Sequence, residues 1–78
     1  MELWKATKKG DFNTGTVKLV SGMSVEFTSH DNSSASTVWQ NQNRMKIAEA
    51  LVAKYQLNCP IEKVAQAINN VSFEYTKL

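Results

Sequence analysis

The sequence predicts an α+β domain: an antiparallel sheet of three to four strands packed on one face by two helices, in the order βββααβ. Three observations carry this. Apolar residues alternate with polar ones near both ends of the chain, in LWKATK at 3–8 and VSFEYTK at 71–77, which is the period of a half-buried strand. Between residues 38 and 69 they recur instead at three- and four-residue spacing, the period of a helix face. Short, turn-rich spacers join the strands, which suits antiparallel neighbours, and leaves one sheet face for the helices to cover. A chain of 78 residues has room for one core, so a single domain over 1–78 is expected.

The first strand, 3–8, sets Trp4 and Ala6 on one face and Leu3, Lys5 and Thr7 on the other; Trp and Thr favour strands. KKGDFNTG then supplies Gly10, Asp11, Asn13 and Gly15, residues that accept positive φ or make local side-chain turns, and a long hairpin loop is expected. Val17 and Leu19 share a face of a strand at 16–20, and Met23, Val25 and Phe27 share one at 23–29. Ser21-Gly22 between them is a tight turn, a glycine bulge, or a sharp bend in one continuous strand.

Residues 29–37, SHDNSSAST, hold no periodic apolar residue and read as an exposed loop. Ser36 or Thr37 is the expected cap of a helix over 38–56, with Met45, Ala48, Leu51, Val52 and Tyr55 inward and Ile47 at the edge of the stripe. Pro60 suits the first turn of a second helix, 60–69, with Asn58 or Cys59 as cap, Glu62 near its positive end, and Ile61, Val64, Ala65 and Ile68 inward. Asn69-Asn70 ends that helix, and the terminal strand alternates Val71, Phe73 and Tyr75 against Ser72, Glu74 and Thr76.

Composition narrows the chemistry. A lone Cys59 excludes an intrachain disulfide, and with the single His30 it cannot complete a tetrahedral zinc site. No metal and no cofactor is expected. MELWKATKKG lacks the apolar run of a secretion signal, and no segment approaches the ~18 apolar residues of a membrane helix. A cytoplasmic protein without membrane contact is expected. Three glycines at 10, 15 and 22 match neither the P-loop nor the dinucleotide spacing.

Candidate constellations each have a plainer structural reading. Ser29 or Ser33 with His30 and Asp31 has the parts of a nucleophilic triad, but neighbours in one loop do not converge as a triad must. Glu26 with Asp31, or Glu49 with Glu62, would be the carboxylate pairs, yet these acids fall on predicted solvent faces. Cys59 precedes a helix, where a thiol can become reactive, and reads as a small buried filler. Trp39 reads as sealing the loop against the sheet. The segment 47–68 resembles a helix-turn-helix only loosely, because Lys63, Gln66, Ala67 and Asn70 would give its reading face one cation. Net charge is +2, and half of the lysines lie in the first quarter of the chain. Lys5, Lys8, Lys9 and Lys18, interleaved with Trp4 and Phe12, form the candidate nucleic-acid surface, a phosphate-attracting rim around stacking rings. Lysines on an edge strand also serve to block unwanted pairing.

The stretch Leu19-Val20-Ser21-Gly22-Met23-Ser24-Val25-Glu26, followed by a polar loop, a helix and Lys54-Tyr55, resembles a family of short bacterial proteins of unknown function. The resemblance covers the middle two-thirds of the chain, implies the architecture, and brings no activity or binding residue. The functional expectation is therefore a non-enzymatic protein-interaction module that self-associates as a homodimer, because a small core and two sheet edges leave groups for a partner to satisfy. The alternative is a nucleic-acid-binding accessory protein using the four lysines.

Overall fold

The computed structural model describes residues 2–29, 34–40 and 42–78 of the chain. The elements run β1 (Glu2–Lys8), β2 (Phe12–Asn13), β3 (Lys18–Leu19), β4 (Ser24–Ser29), α1 (Gln42–Tyr55), α2 (Ile61–Gln66) and β5 (Phe73–Lys77). The protein is α+β: a three-stranded antiparallel sheet in the order β4-β1-β5, a separate two-stranded ribbon of β2 and β3, and two helices.

Alternation along each strand gives the main sheet one buried face. Trp4 lies opposite Phe27, and Ala6 lies between Val25 and Tyr75; all five are buried. Their cluster takes in Leu19 of the ribbon, Ile47 and Leu51 of α1, and Val64 of α2. α1 packs against both β4 and α2. The opposite face of the sheet carries Lys5 beside Glu26 and Thr76, and Thr7 beside Ser24 and Glu74, residues at ease in water.

The ribbon differs from the expected long loop, and it holds the 16–20 segment away from the main sheet. Phe12 pairs with Leu19 and Asn13 with Lys18, so Gly15 and Thr16 form a two-residue hairpin turn. Local side chains fix it. Asn13 Oδ1 accepts the Gly15 N–H at 2.8 Å, Thr14 Oγ1 accepts the Val17 N–H at 3.2 Å, and the Thr14 N–H donates to the Val17 carbonyl at 3.0 Å. Gly15 has φ 86°, as the first central position of such a turn requires. The element order thus gains a strand over the expected βββααβ.

Ser21-Gly22 is both a turn and a bulge. The Met23 N–H donates to the Val20 carbonyl at 3.1 Å with Gly22 at φ 95°, the geometry of a type II turn. The Gly22 N–H also donates to the Lys8 carbonyl at 3.0 Å, while the Lys8 N–H donates to the Met23 carbonyl at 2.7 Å. Two residues thus face one, with a left-handed glycine in the first position, which is a G1 bulge. It ends the ribbon and starts β4.

Both helices are shorter than expected. Residues 34–40 form consecutive turns, with the Val38 N–H bonded to the Ser34 carbonyl at 2.9 Å and the Gln40 N–H to that of Thr37 at 3.1 Å, so α1 starts at Gln42 and neither Ser36 nor Thr37 caps it. Its inward face is rotated: Ile47 is 0% exposed and Met45 37%. Pro60 stands outside α2 as its N-cap, with ψ held at an extended 144° and no side-chain cap, so neither Asn58 nor Cys59 takes that role. Cys59 is half-buried against the core. At the far end Asn69 Oδ1 accepts the N–H groups of Val71 and Ser72 at 2.8 and 2.7 Å. This side-chain turn delays β5 until Phe73 and leaves Val71 79% exposed, against the expected inward position.

Candidate functional site

The two edges of the main sheet are the site. An edge strand turns every second residue's N–H and C=O away from its neighbour. On β4 the bonds of Lys8 to Met23 and Gly22 fix the phase, so Ser24, Glu26 and Thr28 turn their backbone groups outward. α1 covers them. Tyr55 Oη accepts the Ser24 N–H at 2.8 Å and donates to the Ser24 carbonyl at 3.2 Å, as a neighbouring strand residue would. Lys54 Nζ donates to the same carbonyl at 2.7 Å, and Lys46 Nζ to that of Thr28 at 3.0 Å. The Ser24 backbone bond, before any other influence, holds the Tyr55 phenol below its ordinary pKa. The β4 edge is thus capped at both ends by side chains, while the Glu26 N–H and C=O and the Thr28 N–H have no partner among the described residues.

On β5 the Lys9 N–H bonds to the Ser72 carbonyl at 2.9 Å and the Leu78 N–H to that of Leu3 at 2.9 Å. Ser72, Glu74, Thr76 and Leu78 therefore face β1, and Phe73, Tyr75 and Lys77 turn their backbone groups outward. Among the described residues none of those six groups has a hydrogen-bond partner. The side chains of Phe73 and Tyr75 point into the core instead, their rings stacked at 6.2 Å. Tyr75 Oη donates to the Asn69 carbonyl at 2.7 Å, and burial raises its pKa, with Arg44 opposing. The edge is thus anchored from beneath by its side chains while its outward backbone groups stay open.

Lys77 reaches back to an ion pair with Glu2. That lysine chiefly holds the Glu2 carboxyl below the usual carboxylate range; the indole N–H of Trp4 adds to the pull, although its geometry falls short of a hydrogen bond. The Arg44 guanidinium stacks over the Trp39 ring at 4.9 Å, and Trp39 is half-buried against the core.

The four candidate lysines do not share a surface. Lys5 and Lys8 alternate along β1 and so face opposite sides of the sheet. Lys8 is 4% exposed and is withdrawn from any phosphate-contacting rim: its ammonium donates to the carbonyls of Lys9 at 3.0 Å and Ser72 at 3.3 Å and lies 5.4 Å from the centre of the Phe73 ring. Burial pushes its pKa down, with Asp11 pulling the other way. Lys5, Lys9 and Lys18 are exposed. Trp4 is buried and unavailable for base stacking. Ala67, expected on the solvent face of α2, is buried as well.

Of the loop triad, Ser29 lies in the buried row of β4 and accepts a hydrogen bond from Asn43 Nδ2 at 3.1 Å; His30, Asp31 and Ser33 lie outside the described residues. Glu26 sits on the solvent face beside Lys5, and its expected partner Asp31 is likewise outside them. Glu49 and Glu62 are exposed. A cleft of about 410 Å³ opens between the ribbon and α2, lined by Phe12, Thr14, Thr16, Val17, Lys63, Gln66 and Ala67; Lys63 is its one titratable group. No cluster of metal-ligating side chains occurs among the described residues, and no helix among them is long and apolar enough to cross a membrane. The signal for the edge lay in the sequence as the alternation of FEYTK; which edge is open did not, because closure of β4 depends on three α1 side chains reaching across. No family model matches this chain, nor does any curated protein or solved structure.

Proposed function

We propose that this chain is a non-enzymatic protein-interaction module that takes an extended segment of a partner as an added strand on the β5 edge. One observation carries the reading: of two edges built on the same central strand, β4 has three of its six outward backbone groups capped by Tyr55, Lys54 and Lys46, and β5 has none of its six paired among the described residues. A sheet that obstructs one edge with side chains and leaves the other bare has a place for strand addition, in which backbone bonds give affinity and alternate side chains give selectivity. The shared core of β1, β4, α1 and α2 supports the finer architecture in which both helices lie on the buried face. Cytoplasmic placement belongs to the same proposal.

Lys77 offers the test. Its N–H is one of the outward groups, so Lys77→Pro removes an edge donor without touching the ladder to β1, whereas Lys77→Ala removes the ion pair and keeps the donor. Seven-residue peptides selected on phage against the folded chain should shift the amide resonances of Phe73, Tyr75 and Lys77, bind Lys77→Ala, and lose Lys77→Pro. Selected peptides that map instead to the ribbon cleft or to Lys5, Lys9 and Lys18, or that bind Lys77→Pro unchanged, would overturn it.

A further inference from the structure

Resting on that reading, we infer that the partner strand is β5 of a second copy, paired antiparallel about a two-fold axis through Tyr75 to make one six-stranded sheet. The phase of the ladder restricts the choices. Only Phe73, Tyr75 and Lys77 turn backbone groups outward, so an antiparallel partner must set odd-numbered residues against odd-numbered residues. That puts the buried faces of both copies on the same side.

Three registers then compete. Centred on Tyr75, Phe73 meets the partner's Lys77, Tyr75 meets the partner's Tyr75, and all six outward groups of each copy pair at once. Centred on Glu74, the two glutamates stand directly opposite each other, a repulsive pair, and Lys77 is matched with a residue outside the partner's β5. Centred on Thr76, Phe73 runs past the end of the partner's β5. The Tyr75 register also sets Glu74 against the partner's Thr76, and it sets the partner's Leu78 against Ser72, next to Val71. Val71 and Leu78, at 79% and 57% exposure, are the two most exposed large apolar side chains among the described residues, and they flank the two ends of β5. The pairing sets each Leu78 one residue along the seam from the partner's Val71. A seam of five residues per chain is small beside a standard protein interface, so the dimer is a weak one that assembles at tens of micromolar and above.

The test reads mass and register separately. Light scattering on wild type should rise from the 8.7 kDa of one chain toward twice that between 5 and 500 μM (roughly the range in which a weak homodimer assembles), and Lys77→Pro should stay at one chain throughout. In a Cys59→Ser background, Glu74→Cys mixed with Thr76→Cys should oxidise to the mixed disulfide several-fold in excess over either self-pair, because those positions form a close non-hydrogen-bonded pair within disulfide reach. Preferential self-crosslinking of Glu74→Cys, or a single-chain mass at every concentration, overturns the inference. If the mass stays single while selected peptides still bind at β5, strand addition stands and self-pairing falls; if neither occurs, both fall.

Discussion

Replacing Tyr55 with Phe removes one oxygen and leaves the ring, so it isolates the closure of the β4 edge. Two hydrogen bonds are lost. The Ser24 carbonyl keeps Lys54 Nζ at 2.7 Å, so the 3.2 Å bond from the phenol contributes little, and the cost falls on the Ser24 N–H, which loses its 2.8 Å acceptor. A typical net hydrogen bond is worth about 0.5–1.5 kcal/mol, and stranding a partly buried donor adds to it; about 1.5 kcal/mol is expected. For a chain of 78 residues that lowers the midpoint of thermal unfolding by about 6–12 °C. Urea unfolding followed by circular dichroism measures the free energy, with the slope unchanged from wild type. The variant should also show a second association mode, because a sheet with two open edges can extend at both ends while a sheet with one closes as a pair. A loss below about 0.3 kcal/mol with no growth past the dimer would refute the reasoning, since it would mean that water replaces the phenol and that Tyr55 never closed the edge.

Four further outcomes follow from the same geometry. Ile47→Ala should cost about 2–5 kcal/mol as a buried truncation and Met45→Ala under about 1 kcal/mol, measured in urea; equal costs would contradict the rotated face of α1. Lys8→Met should be at least as stable as wild type, because it keeps the packed stem and removes a desolvated charge; a loss above about 1 kcal/mol would show that the ammonium's bonds outweigh its burial. Because burial lowers the folded pKa of Lys8 below the ordinary 10.5, the unfolded chain binds more protons between those values, so stability should rise with pH through that alkaline window and Lys8→Met should flatten the rise. Gly22→Ala should cost about 1–2 kcal/mol although no atom beyond its chain neighbours lies within 4 Å of the added Cβ, since the turn and the bulge both require the positive φ seen at 95°; thermal unfolding checks it.

The parts of this fold that were legible in the sequence are those with a sustained period. Alternation in LWKATK, SVEFTS and FEYTK located the three strands of the main sheet, and the spacing of Ile61, Val64, Ala65 and Ile68 located α2. The two-residue strand at Phe12–Asn13 is too short for any period to register, and the side-chain turns of Asn13, Thr14 and Asn69 act through single hydrogen bonds that composition does not reveal. Lys8 is a different case: the alternation that put Trp4 and Ala6 inward puts Lys8 inward too, and the expectation of a basic surface followed its charge over its phase. The face of α1 shifted by a fraction of a turn: Ile47, not Met45, is buried in the core. For the edges, sequence implied two without saying which strands form them and read the lysine-bearing first strand as one, whereas β1 is the central strand; the three-dimensional reach of Lys46, Lys54 and Tyr55 then distinguishes β4 from β5.

Residue-resolved amide hydrogen exchange, run on dilute and on concentrated protein, separates a capped β4 edge from an open β5 edge. The Ser24 amide should be protected at both concentrations, and the Phe73, Tyr75 and Lys77 amides should exchange freely in the dilute chain and slow together as the protein is concentrated. A Ser24 amide as labile as an open edge, or outward β5 amides whose exchange is indifferent to concentration and to added peptide, would contradict that assignment of the edges.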